Sequence, residues 1–188
     1  MGDHSLGCSK TGDRIARHNI LRDVIFEAAA SADLGPVKEE RHLLPGTIAR
    51  PGDVVIRRWS NGKDGPIDVT VTSPLASSNV AGAAAEAGAS LTKACMRKTR
   101  DTADACRREG LVFLPFALET LGGFHSGAVT QVKLLASALA RSRGSEEGEA
   151  TSQLFGRLSL NLMRGNALML SSRHQDEDIP PPEVDGVE

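Results

Sequence analysis

The sequence predicts an α/β protein: a mixed four-stranded sheet with a central β-hairpin, flanked by helices in the order α-β-β-β-α-β-α-α. Three observations predict it. Long segments at both ends of the chain carry apolar residues at helical spacing. Two runs rich in Val and Ile are joined by Asn61-Gly62-Lys63-Asp64-Gly65, which holds two turn dipeptides within five residues. An Ala-rich stretch then separates those runs from a further apolar segment, the layout of a helix crossing between strands.

Taken in order, the first helix is expected over Asp13–Ser31, where Ile15, Leu21, Val24, Ile25 and Ala28 recur on one stripe and Asp13 can serve as a cap. Leu34-Gly35-Pro36 stops it. A strand over 37–44 follows, its alternation blurred by Lys38-Glu39-Glu40-Arg41, and a second strand is expected over 53–59. The third, over 67–72, alternates Ile67, Val69 and Val71 against Asp68, Thr70 and Thr72. One continuous helix is expected over 79–108, with Val80, Ala84, Ala87 and Leu91 on one stripe and Gly110 at its end. A buried strand over 111–118 contains Pro115, which points to an edge or a bulge. Helices over Ser126–Arg143 and 151–172 complete the body.

Three segments result: 1–12, 13–173 as the folded domain, and a tail over 174–188. The tail carries six acids, no Lys or Arg, and Pro180-Pro181-Pro182, and is expected to be disordered. Removing those six acids from the total of 24 leaves 18 against 22 basic residues, so the body is about +4. That balance permits a polyanionic partner without requiring one. No run approaches the roughly 18 apolar residues of a membrane span, so no membrane partner is expected. The beginning of the chain lacks the basic-then-apolar layout of a signal peptide, and three widely spaced cysteines suit a reducing compartment; an intracellular protein is expected. The absence of Tyr argues against a base-stacking platform.

The chemistry centres on Asp68. It interrupts an apolar strand, where an unpaired carboxylate costs several kcal/mol to bury. It therefore has a partner or a metal, or it faces solvent with Thr70 and Thr72. Asp53 opens the preceding strand and is joined to Asp68 by a single hairpin. Two carboxylates on adjacent strands suit a hard divalent cation such as Mg²⁺.

These residues carry a resemblance. Arg50-Pro51-Gly52-Asp53 and Ile67-Asp68-Val69-Thr70-Val71-Thr72 resemble the two acidic motifs of the PD-(D/E)XK (restriction-endonuclease-like) nuclease superfamily. The chain is also similar to the nuclease-like region found downstream of reverse transcriptases in eukaryotic non-LTR-type retroelements. The matching segments are Gly2-Asp3-His4-Ser5-Leu6-Gly7-Cys8, Arg17-His18-Asn19-Ile20-Leu21-Arg22-Asp23, residues 50–53 and 68–75, and Glu119-Thr120-Leu121-Gly122-Gly123. The resemblance implies a metal-dependent endonuclease that nicks DNA with Mg²⁺ or Mn²⁺, with Asp53 and Asp68 as catalytic ligands. Glu40, on the first strand beside the hairpin, is a candidate third metal ligand, the alternatives being Glu39 or a solvated strand face. The resemblance also implies a reverse-transcriptase portion as partner and, for action on chromosomal DNA, a nuclear location. The alternative is a degenerate nuclease fold that only binds nucleic acid or a partner.

The chain departs from the pattern in two places. Thr70 stands where the motif has its lysine, so the following helix must supply it, from Lys98 or Lys93. Lys98 lies eighteen residues, five whole turns, beyond Val80 and on its stripe; Lys93 lies two past Leu91, on the opposite face. Axial reach favours Lys93, face favours Lys98, and Lys98 is the expected catalytic residue. Lys93, Arg17, His18 and Arg22 are expected nucleic-acid contacts. His4 and Cys8 resemble the last two ligands of a zinc knuckle, but no cysteine precedes Cys8, so no complete zinc site is expected. Glu119 either caps the turn into Gly122-Gly123 or points at the site.

Overall fold

The computed structural model describes Leu6 and residues 12–177. Helix α1 (Asp13–Ser31) leads into a four-stranded sheet built from β1 (Val37–Lys38), β2 (Val54–Ser60), β3 (Lys63–Thr72) and β4 (Leu114–Glu119). Helices α2 (Val80–Ala85) and α3 (Ala89–Arg108) lie between β3 and β4; α4 (Ser126–Arg143) and α5 (Glu147–Glu177) follow. The strands stand in the order β1-β2-β3-β4. The first three are antiparallel neighbours and β4 runs parallel to β3, which makes the sheet mixed.

The hairpin turns at Asn61-Gly62, where Ser60 pairs with Lys63 and both turn residues have positive φ, +51° and +76°. That double left-handed turn matches the twist of the flanking strands and is why the Asn-Gly dipeptide is favoured there. Alternation then sorts the strand side chains onto two faces. Val54, Ile56, Ile67, Val69, Phe116 and Leu118 are buried in the main core with residues of α1, α4 and α5. On the other face a smaller cluster joins Ala117 to Leu91, Ala94 and Cys95 of α3. In the parallel register Asp68 faces Pro115 and Thr70 faces Ala117, so the polar residues of β3 look toward α3.

Pro115 is tolerated because β4 is an edge strand. The residues after it cover that edge. His125 N–H donates to Ala117 O at 3.0 Å, and Gln131 Nε2 donates to Pro115 O at 3.2 Å. Phe124 packs edge-on against Phe155 of α5, with ring centroids 5.4 Å apart.

Three sequence expectations are corrected. The strand over 37–44 is only two residues long, because Glu39 and His42 take positive φ (+49° and +65°) and turn the charged run out of the sheet. The continuous helix over 79–108 breaks: Glu86 is extended and Gly88 sits at φ +80°, so α2 and α3 are separate elements. Val80 is exposed and not part of a buried stripe. The last helix extends beyond 151–172 at both ends, and residues 174–177 are helical, not tail. His4, Cys8 and the tail from 178 lie outside the described residues. No helix among the described residues is long and apolar enough to cross a membrane.

Candidate active site

Asp53 immediately precedes β2, and extending the β2–β3 register by one residue from Val54↔Ile67 sets it opposite Asp68. Its amide donates to Ile67 O at 2.7 Å, and its Oδ2 accepts the Val69 N–H at 2.7 Å. Its Oδ1 lies 3.1 Å from Nε2 of His18 on α1. Gly52 permits this docking: a Cβ there would stand 2.8 Å from Ile67 O and 3.0 Å from Ile67 C and N, against strand backbone that has no room to yield.

Asp68 points into the sheet–α3 interface with its side chain only 14% exposed. Lys98 Nζ sits between its two oxygens, 3.0 Å from Oδ1 and 2.8 Å from Oδ2. The facing of α3 explains why. Leu91, Ala94 and Cys95 are buried against the sheet, and Lys98 follows Leu91 by two turns on the same stripe. Lys98 thus reaches Asp68 from α3 itself, although the stripe does not run back to Val80. The solvent-facing alternative for Asp68 is set aside by its burial and its ion pair.

The two carboxyls respond in opposite senses. Burial, the largest influence on Asp68, pushes its pKa above the ordinary range; the hydrogen bond and charge of Lys98 oppose that, while the adjoining Asp53 carboxylate adds to the rise by charge and hydrogen bonding. Burial is also the largest influence on Asp53 and pushes upward. There the hydrogen bond and charge of His18, the Val69 amide and the charge of Lys98 together outweigh it, and the Asp53 pKa is lowered. One carboxyl is held ionised, the other driven toward protonation, and both interact directly.

A pH dependence follows for His18→Ala. A carboxyl whose folded pKa is depressed stabilises the fold above its unfolded value, and that contribution disappears as pH falls through the folded one. His18 supplies the leading favourable interactions of Asp53. Its removal should therefore cost about 1–2 kcal/mol near neutral pH, and the gap from wild type should close in strong acid, where Asp53 is protonated in both states. Denaturant midpoints measured from about pH 7 to about pH 2 check this; a gap that stays constant would assign His18 to packing alone.

A cleft of about 450 Å³ opens beside the pair, lined by Arg14, Ile15, His18, Thr70, Arg97 and Lys98 among others. Thr70, in the place of the motif lysine, therefore shares a wall with the Lys98 that faces Asp68.

The remaining expected site residues make other contacts, although Arg17 also lines the cleft. Glu40 lies past the end of β1, where its Oε1 accepts from Arg57 Nη2 at 2.5 Å, and Arg57 also bonds Asp64 at 2.6 Å. It belongs to that hairpin cluster and is corrected as a third ligand. Among the described residues no group of three or more His, Cys, Asp or Glu is arranged to hold a metal. Arg17 is buried, 3% exposed, with Nη1 on Asn166 Oδ1 at 2.7 Å and Nη2 on Leu6 O at 3.3 Å. Burial first, and then the charge of Arg14, lower its pKa to about 10. Arg17 is a tie between α1 and α5, packed so closely that a Cβ on Gly165 would stand 2.5 Å from its Cγ. Arg22 pairs with Asp23 and with Glu39, which also pairs with Arg50, so its charge is satisfied within the protein. Lys93 donates to Ser78 O at 2.6 Å and to Asn79 Oδ1 at 3.2 Å, anchoring the segment ahead of α2. These three serve as structural ties within the protein, and His18 stands at the site.

Glu119 closes the turn into Gly122-Gly123 through its backbone, its carbonyl accepting the Gly122 N–H at 3.0 Å and its N–H donating to Gly123 O at 2.8 Å, while its Oε1 accepts from Ser90 Oγ at 2.6 Å and joins β4 to the first turn of α3. His125 caps α4, its Nδ1 accepting the Gly127 N–H at 3.1 Å. Sequence reasoning missed Arg14 and Arg97 in the cleft wall, because nothing in the local pattern separates them from other exposed cations. No protein-family model matches the chain, and no match was found among curated proteins.

Proposed function

We propose that the chain is a metal-dependent DNA endonuclease domain of the PD-(D/E)XK, restriction-endonuclease-like type. The observation that carries this reading is the contact of Lys98 with Asp68, across the hairpin from Asp53 and beside a cation-lined cleft. The chemistry needs two carboxylates and one lysine at a phosphodiester, and the Lys98–Asp68 contact supports Lys98 as the substitute for the motif lysine that Thr70 replaces. The reverse-transcriptase partnership in a retroelement and a nuclear place of action rest on the sequence motifs alone.

The donors suit Mg²⁺ or Mn²⁺. Two facing carboxyls, one of them forced toward protonation by burial and by its neighbour, are an arrangement that a hard dication relieves, and Mg²⁺ is commonly held by one or two carboxylates with water and phosphate completing its shell. When bound, the ion supplies a lowered pKa for water and compensation for charge developing on phosphorus. The chain's own residues do the rest. His18 and the Val69 amide fix the Asp53 carboxylate, and Lys98 orients Asp68 while offering N–H to a phosphate oxygen. Hydrolysis adds water across one P–O bond, so no nucleophilic side chain is required.

A second reading, a degenerate fold that binds nucleic acid without cutting it, is favoured by one observation: His18 and Lys98 already compensate the aspartates, and among the described residues no third acid joins them. Supercoiled plasmid separates the two. The nuclease reading expects nicking with Mg²⁺ or Mn²⁺, protection by EDTA, and little cleavage with Ca²⁺, whose looser shell positions water poorly. Pure protein that retards DNA yet nicks it with neither ion hands the function to the binding module.

A further inference from the structure

The cleft beside the aspartates has two cationic walls. Arg14 stands in the first turn of α1 and Arg97 immediately precedes Lys98 on α3; both are exposed, both line the cleft, and neither makes a hydrogen bond or ion pair among the described residues. The contrast with Arg22, Arg50, Arg57 and Lys93, all engaged within the protein, is marked. Like charge is also crowded on the α1 wall, where Arg14 adds to the lowering of the Arg17 pKa. An anion seated between the walls relieves that crowding.

Size restricts the anion. About 450 Å³ falls within the roughly 300–1,000 Å³ of a small-molecule pocket, room for about one nucleotide unit of a single strand whose neighbouring phosphates lie at the exposed arginines on either wall. The lining holds no Phe, Tyr or Trp on which bases would stack, its one ring is the His18 imidazole already held on Asp53, and its apolar members are Ile15, 67% exposed, with Val69 and Val71. The lining offers charge to a sugar-phosphate backbone and little to bases.

We propose that Arg14 and Arg97 form a two-sided clamp on the phosphates flanking the one presented to Asp53 and Asp68, so that the cleft accepts a single sugar-phosphate strand and reads its charge, not its sequence. The proposal deepens the nuclease reading and rests on it for the position of the central phosphate. Arg14 and Arg97 are positioning residues, distinct from the Lys98–Asp68 pair.

Binding without turnover tests the clamp. Fluorescence anisotropy of a labelled mixed-sequence single-stranded oligonucleotide, in Ca²⁺ buffer across a salt series, gives the slope of log affinity against log salt. Each neutralised phosphate contributes about 0.7 to that slope on a single strand. Arg14→Ala and Arg97→Ala should each reduce it by about 0.7 and the double variant by about 1.4, evenly across sequences. Arg141→Ala, an exposed arginine on α4 bonded to Ser137, should leave it unchanged. A folded double variant with the wild-type slope overturns the clamp, as does an equal loss from Arg141→Ala. A blunt duplex that binds more tightly than the single strand, and whose binding alone responds to the arginines, overturns the one-strand assignment. If plasmid is never nicked but these slopes change as expected, the catalytic reading fails and the clamp stands; nicking retained with unaltered slopes rejects the clamp alone.

Discussion

Asp68→Asn is expected to lower metal-dependent nicking by roughly two to three orders of magnitude, the scale on which loss of a single preorganised electrostatic group acts, while leaving DNA affinity nearly unchanged. The substitution removes a charge from the cation site but none from the cleft walls. Its effect on stability is a balance of two terms. Losing the carboxylate ends the ion pair with Lys98, yet it also ends the interaction with Asp53 that helps to raise the Asp68 pKa. Lys98 keeps an attraction to Asp53, whose own pKa it helps to lower. A net change within about 1 kcal/mol follows. Lys98→Ala differs, because it strands a mostly buried carboxylate beside another and should destabilise by about 1–3 kcal/mol as well as slowing nicking. Lys93→Ala should touch nicking little, since its ammonium is bound to Ser78 O and Asn79. Equal nicking by Asp68→Asn and wild type, both shown folded by circular dichroism, would remove Asp68 from the reaction.

The elements written in local pattern were legible. Asn61-Gly62 set the hairpin, and the helical periodicity from 13 to 31 and from 126 to 143 coincides with α1 and α4. Elements decided by competition between local and tertiary terms were not. The charged run after Lys38 has nothing to bury, so it leaves the sheet after two residues, and Gly88 lets the Ala-rich segment break where its first half covers no core. The choice of Lys98 over Lys93 illustrates the difference. Face assignment within a single helix is secure, because Leu91, Ala94, Cys95 and Lys98 are counted along one rigid element. Counting from Val80 crossed a break that periodicity does not reveal. The sites of the cations were least legible. Arg17, Arg22 and Lys93 look like any exposed basic residue until Asn166, Glu39 and Ser78 are brought to them from distant segments.

Gly52→Ala should be the most damaging single-methyl substitution at the site. Its added carbon would meet Ile67 O at 2.8 Å and the Ile67 C and N at 3.0 Å, all backbone atoms of a central strand. The same carbonyl accepts the Asp53 amide at 2.7 Å, so relief of the clash has to lift Asp53 off β3. The carboxylate then loses the Val69 N–H, and its alignment with His18 and Asp68 is lost together with it. Overpacking of this kind costs about 1–3 kcal/mol, and loss of the buried backbone hydrogen bond adds about 1 kcal/mol. For a chain of this length each kcal/mol shifts the melting temperature by about 2–4 °C, so a fall of roughly 4–16 °C is expected, with nicking reduced beyond what the remaining folded fraction explains. Gly148→Ala is the matched control: it lies in the first turn of α5 with nothing within 4 Å of a Cβ, and alanine there should be neutral or slightly stabilising. A Gly52→Ala protein that melts with the control would mean that Asp53 does not rest on the Ile67 backbone, and the juxtaposition with Asp68 on which the candidate site depends would fall with it.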